Sequence, residues 1–126
     1  MSRNIVNARP LLYYKLDKKT HDVTPIDISE LSSIFEQEFD NRIVGYDEIG
    51  KYRISTVFLS IDHQLFKGPP LLFETMIFGD DEEEPQVRYS TWKKANKAHR
   101  TAVAILKRGG SLDKAVAAME KIAANE

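Results

Sequence analysis

The chain has 126 residues, 42% of them hydrophobic and 29% charged, with a formal net charge of −1 at pH 7; this is the length of one domain, with enough apolar residues for a core that needs no metal or disulfide. Cysteine is absent, which excludes disulfides, thiolate catalysis and Cys-ligated zinc or iron–sulfur centres. No apolar run approaches the roughly 18 residues of a membrane span, and Met1–Pro10 lacks the charged start and apolar stretch of a secretion signal, so the expected location is the cytoplasm that makes the chain.

Leu11 to Leu16 reads as a first strand, and Asp17-Lys18-Lys19-Thr20 as the turn after it. Pro25 opens a helical signal. Asp27 can cap a helix, Glu30 sits at its third position, and Ile28, Leu31, Ile34, Phe35 and Phe39 follow at helical spacing. Ile43 to Tyr46 reads as a short strand, with Asp47-Glu48-Ile49-Gly50 as a hairpin connection. Tyr52 to Ile61 is the strongest strand signal, with Ile54, Thr56 and Phe58 on one face and Val57, Leu59 and Ile61 on the other. Gly68-Pro69-Pro70 marks a loop. Leu71 to Phe78 is the next strand, antiparallel to the previous one. Both strands carry apolar residues on two faces, so the sheet is expected to be covered, in part, on both sides. Asp80 to Glu84 reads as an exposed acidic loop and Val87 to Ser90 as a fourth strand.

Thr91 caps a second helix whose apolar stripe is Trp92, Ala95, His99, Ala102, Val103 and Leu106. Gly109-Gly110 stops it. Ser111 caps a third helix, about 111–124, with the stripe Leu112, Ala115, Val116, Met119 and Ile122. The expectation is one α+β domain over residues 1–126, with its core at about 26–108. An antiparallel sheet of three or four strands packs against an amphipathic helix, followed by two C-terminal helices. The third helix can pack on its own chain or pair two chains into a homo-oligomer.

Charge is unevenly placed. Asp27 to Glu48 holds seven acidic residues and one basic residue, whereas Gln86 to Arg108 holds seven basic residues and no acidic one. Either these segments neutralise each other across the folded surface, or a basic helix face meets an anionic partner.

Three words of sequence stand out: Ser55-Thr56-Val57-Phe58-Leu59-Ser60-Ile61-Asp62-His63, then Gly68-Pro69-Pro70-Leu71-Leu72-Phe73-Glu74-Thr75-Met76-Ile77-Phe78-Gly79, then Arg88-Tyr89-Ser90-Thr91-Trp92 with Ala95 and His99. In this order the pattern resembles a family of small bacteriophage and prophage proteins of unassigned function, over about half the chain. The resemblance implies a phage origin and the cytoplasm of a bacterial host, and it implies no catalytic residue. The chain departs from that pattern at Ser60, where the family usually has glycine, and at Lys93 and Lys94, where it usually has acidic residues. Two lysines oppose the positive end of a helix, at a cost of a few tenths of a kcal/mol at an exposed site.

Few residues suggest chemistry. Asp62-His63 ends the strongest strand and enters the Gly-Pro-Pro loop, where a histidine beside a carboxylate can act as a base or bind a metal. The competing reading is that Asp62 accepts from turn N–H groups and His63 is a packing or surface residue. His99 lies on an apolar stripe and reads as a hydrogen-bonded core histidine before a ligand. Glu74 interrupts an apolar strand. His63, His99 and Glu74 would make a two-His, one-carboxylate set if the fold joined them. His21 carries no signal. Phosphate-binding glycine loops and the G-x-S-x-G elbow are absent.

The sequence therefore favours a non-enzymatic, protein-binding module with no cofactor and no resident metal. Its expected docking surfaces are Lys93, Lys94, Lys97 and Arg100 on the second helix, and the acidic run Asp80, Asp81, Glu82, Glu83 and Glu84. Two alternatives stay open: an enzyme built on Asp62, His63, Glu74 and His99, and a nucleic-acid binder using helix 92–108. Against the latter, the pI is near 6.3, low for a DNA-binding domain.

Overall fold

The computed structural model describes residues 12–30, 42–64, 67–79 and 84–125. Strands β1 (Tyr13–Leu16) and β2 (Val23–Ile26) form an antiparallel hairpin. Its six-residue connection is organised by Asp17, whose Oδ1 accepts from the N–H groups of Lys19 and Thr20 at 2.8 Å each. Those two bonds hold the Asp17 carboxyl below the usual carboxylate range. The sequence offers β2 no clear strand signal, because Pro25 reads as the lead-in to a helix. Pro25 is tolerated here because, among the described residues, β2 pairs on one side only, opposite Tyr14. Residues 28–30 are helical. Glu30 Oε1 accepts from the Asp27 N–H at 3.3 Å, half of the expected capping box. The rest of the expected first helix lies outside the described residues.

Four strands then form an antiparallel meander of order β3-β4-β5-β6: β3 (Ile43–Ile49), β4 (Tyr52–Phe58), β5 (Phe73–Phe78) and β6 (Gln86–Tyr89). The β3–β4 turn is Gly50-Lys51, not the longer Asp47–Gly50 connection expected from sequence. Gly50 takes φ +57°, which a two-residue hairpin turn requires and glycine adopts without strain. β4 ends at Phe58 and does not run on to Ile61, because Ser60 turns the backbone to φ +69°. Residues 60–62 then bind the hairpin instead: Tyr14 N donates to Ser60 O at 2.8 Å, and Asp62 N to Leu12 O at 3.1 Å.

Helices α1 (Trp92–Lys107) and α2 (Leu112–Ala124) begin where the sequence places them, with Thr91 Oγ1 and Ser111 Oγ each accepting a first-turn N–H at 3.1 Å. Gly109, at φ +82°, and Gly110 return N–H groups to Leu106 and Ile105 and close α1. The buried residues of α1 are Ala95, Ala98, His99, Ala102, Ile105 and Leu106. Three alanines at the centre let the helix approach the sheet closely. α2 packs on α1 and β6 through Ala115 and Met119, and Leu112, Val116 and Ile122 of its apolar stripe are half-buried.

The helix-covered face of the sheet carries Ile54, Phe58, Phe73, Ile77, Val87 and Tyr89, all buried. Burying an Ile or Phe side chain contributes about 1.5–3 kcal/mol. The other face alternates strictly with it and is half-buried to exposed along β4, β5 and β6. Ile43 and Tyr46 on β3 are 48% and 51% exposed. The partial cover expected on both faces is complete on the helix-covered face and partial on the other. Trp92 is half-buried, and its ring stacks on His21 with centroids 3.7 Å apart and planes 9° apart, which fastens the hairpin loop to the start of α1. His21, silent in the sequence, holds φ +64° to make this contact. Among the described residues, no helix is long and apolar enough to cross a membrane.

Candidate functional site

His99 projects from α1 onto the sheet and is the centre of a buried polar chain. Its Nε2 lies 2.7 Å from Asp47 Oδ2 on β3, and its Nδ1 lies 2.7 Å from Thr56 Oγ1 on β4. Thr56 Oγ1 lies 2.6 Å from Thr75 Oγ1 on β5, and the Tyr89 hydroxyl on β6 donates to Thr75 Oγ1 at 3.1 Å. Thr56 and Thr75 meet because the β4–β5 register places them directly opposite each other. The β3–β4 register puts Gly45 opposite Thr56, and the His99 ring fills the space a side chain there would occupy. A Cβ on Gly45 would sit 2.8 Å from the ring.

Proton accounting assigns the roles. One arrangement satisfies every hydroxyl: Tyr89 donates to Thr75, Thr75 to Thr56, and Thr56 to Nδ1 of a neutral imidazole. The Nε2–H then donates to the Asp47 carboxylate. Burial pushes the Tyr89 hydroxyl up to about 12, against the opposing pull of its bond to Thr75.

A hydroxyl, an imidazole and a carboxylate in series are the members of a nucleophilic triad. The geometry does not allow that use. Thr56 is 0% exposed and the His99 side chain 5%, so no substrate reaches either, while the Asp47 side chain is 44% exposed. The chain is a brace that ties α1 to all four strands of the sheet.

The other sequence candidates do not join it. Glu74 lies on the opposite face of the sheet, paired with Arg88 through a 3.0 Å contact. Asp62 is 4% exposed and its Oδ1 accepts from the N–H groups of Gln64 at 2.8 Å and Leu71 at 3.1 Å, which shapes the turn into the Gly-Pro-Pro loop. His63 is half-buried, and its backbone N–H donates to Leu71 O. Among the described residues no three His, Asp or Glu side chains are grouped to hold a metal ion. The set of His63, His99 and Glu74 is therefore not assembled, because strand alternation sends Glu74 away from the histidine on α1.

The opposite side of α1 is open. Lys93, Lys97, Arg100, Lys107 and Arg108 are exposed. Lys93, Lys97, Arg100 and Arg108 rim a shallow groove floored by Ala104 and Ile105. Lys107 lies outside that groove. These four cations form no ion pair among the described residues. Lys94 is turned aside: its Nζ reaches the Ala123 carbonyl of α2 at 3.5 Å, a favourable place for a cation at a helix C-terminus. Of the acidic run, Asp80, Asp81, Glu82 and Glu83 lie outside the described residues, and Glu84 is exposed.

Sequence reasoning did not find Asp47, Thr56, Thr75, Tyr89 or Gly45 as partners of His99. The one local hint is a pair of threonines at strand positions that point to the core. No protein-family model, no curated protein and no solved structure matches the chain.

Proposed function

We propose that this chain is a small phage- or prophage-encoded accessory protein that acts without catalysis, in the cytoplasm of a bacterial host. It docks the open face of α1 on an acidic surface of a host or phage protein. The observation that carries this reading is the division of α1 into two sides. Its one titratable group on the inner side, His99, is spent within the fold. Its outer side carries Lys93, Lys97, Arg100 and Arg108 in solvent, and the first turn has no acidic residue. A lysine in the first helical turn works against the helix dipole, so folding alone does not account for Lys93. The resemblance to phage proteins supplies the setting, and inhibition of a host enzyme or host defence is one form the docking takes.

The test is capture from bacterial lysate by the tagged chain and by a Lys97→Glu/Arg100→Glu variant. The expected result is a partner held by the first and lost by the second. Equal capture by both, or capture by neither, removes the reading.

A further inference from the structure

We propose that a second copy of this chain also fits the basic groove of α1, docking through an acidic groove on α2. In one groove Lys93, Lys97, Arg100 and Arg108 surround Ala104. In the other Glu84, Asp113 and Glu120 surround Val116 and Ala117. No residue belongs to both grooves, so each copy offers both at once. Either groove has an apolar floor inside a charged rim, the arrangement of a protein interface more than of an ion site.

The basic stripe runs from Lys93 to Arg108, about 22 Å at 1.5 Å per residue, and Asp113 to Glu120 covers about 10 Å, so the acidic groove spans about half of the stripe. Helical periodicity keeps Asp113 and Glu120 on one side of α2, two turns apart, and sends Lys114 and Lys121 to another. The acidic rim is therefore not neutralised from within its own helix.

The net charge does not oppose the contact. With a formal net charge of −1, copies repel each other weakly, and near-neutral proteins associate readily. Like grooves repel, so the contact always joins unlike grooves of two copies. Three carboxylates against four cations on exposed rims make a salt-sensitive, exchanging association. The same stripe serves the partner proposed above, so copy and partner compete for it. Only that competition rests on the proposed function; self-association is measured on the purified chain alone.

Sedimentation velocity on three proteins provides the test. The wild-type chain is expected above monomer mass at low ionic strength and at monomer mass in about 0.5 M salt, where screening is nearly complete beyond contact distance. Lys97→Glu/Arg100→Glu and Glu84→Lys/Glu120→Lys are each expected to be monomeric. All four positions are exposed, and the second pair avoids the first turn of α2. An equimolar mixture of the two variants restores pairs, because each keeps the groove the other has lost, and this recovery also shows that both are folded. A wild-type monomer at low salt, association that survives either reversal, or a mixture that stays monomeric overturns the proposal. So does a monomer whose stripe binds a duplex oligonucleotide with steep salt dependence, which assigns the cations to phosphate.

Discussion

Ser60 sits at φ +69° with its residue fully buried and its Oγ without a hydrogen-bond partner among the described residues. A non-glycine residue in the left-handed region costs roughly 1–2 kcal/mol, and a buried hydroxyl left unsatisfied costs about 1–3 kcal/mol. Glycine at this position removes both costs. Its greater freedom in the unfolded chain returns about 0.4–1 kcal/mol, and the vacated side-chain volume returns some more. Ser60→Gly is therefore expected to stabilise the fold by about 1 kcal/mol, read as a rise in urea midpoint with an unchanged slope. Gly45 shows the converse. Its missing side chain is where the His99 ring lies, and a Cβ would meet ring atoms at 2.8 Å. The ring cannot swing aside, because Asp47 and Thr56 hold both nitrogens at 2.7 Å. Gly45→Ala should thus cost about 1–3 kcal/mol, as overpacking does. It should also shift the His99 ring nitrogens in NMR, and a variant as stable as wild type with an unmoved ring contradicts the brace.

The brace gives α1 a pH-dependent hold on the sheet through its far end, Tyr89 on β6. Its ordinary value is 10 and burial raises it to about 12. Below the ordinary value both folded and unfolded chains keep the proton, and the contribution is fully present. Between the two values the unfolded chain has lost the proton that the fold retains, so stability falls as pH rises. The full displacement corresponds to about 2–3 kcal/mol at the alkaline limit. Urea midpoints should drop between about pH 10 and 12, less so in Tyr89→Phe; identical slopes for the two proteins would discard Tyr89 as the cause. Elements with local signals were legible in the sequence. Thr91 and Ser111 as caps, Gly109-Gly110 as a stop and the 3.6-residue stripes marked both helices, and alternating β-branched and aromatic residues marked β4 and β5. The end of β4 was misread at Ser60 and the end of β3 before Gly50-Lys51, where one backbone angle decides. β2 was hidden by Pro25. The His99 chain was illegible, because it arises from the register of four strands against one helix and leaves no local spacing.

The formal net charge is −1, and among the described residues Lys93, Lys97, Arg100 and Arg108 gather in one groove, which makes the stripe on α1 testable against the fold that bears it. Lys93 is exposed, two residues past the Thr91 cap, in a first turn without an acidic residue. A carboxylate there interacts favourably with the helix dipole where the lysine does not, and the exchange is worth about 0.3–1 kcal/mol at a surface site. Lys93→Glu is therefore expected to raise the melting temperature by a degree or more, since 1 kcal/mol moves it by about 2–8 °C in domains of this size range. The same change removes the N-terminal cation of the groove and places a negative charge beside Lys97. Capture of an acidic partner should weaken, and the remaining binding should depend less on salt, because one charge fewer is neutralised at the contact. Melting and capture measured side by side separate the two roles a lysine can have here. If it serves only solubility, the variant melts higher and captures as before, and the docking face has to be sought elsewhere than at the start of α1. If it serves docking, stability and capture move in opposite directions at one residue, which no purely structural role produces.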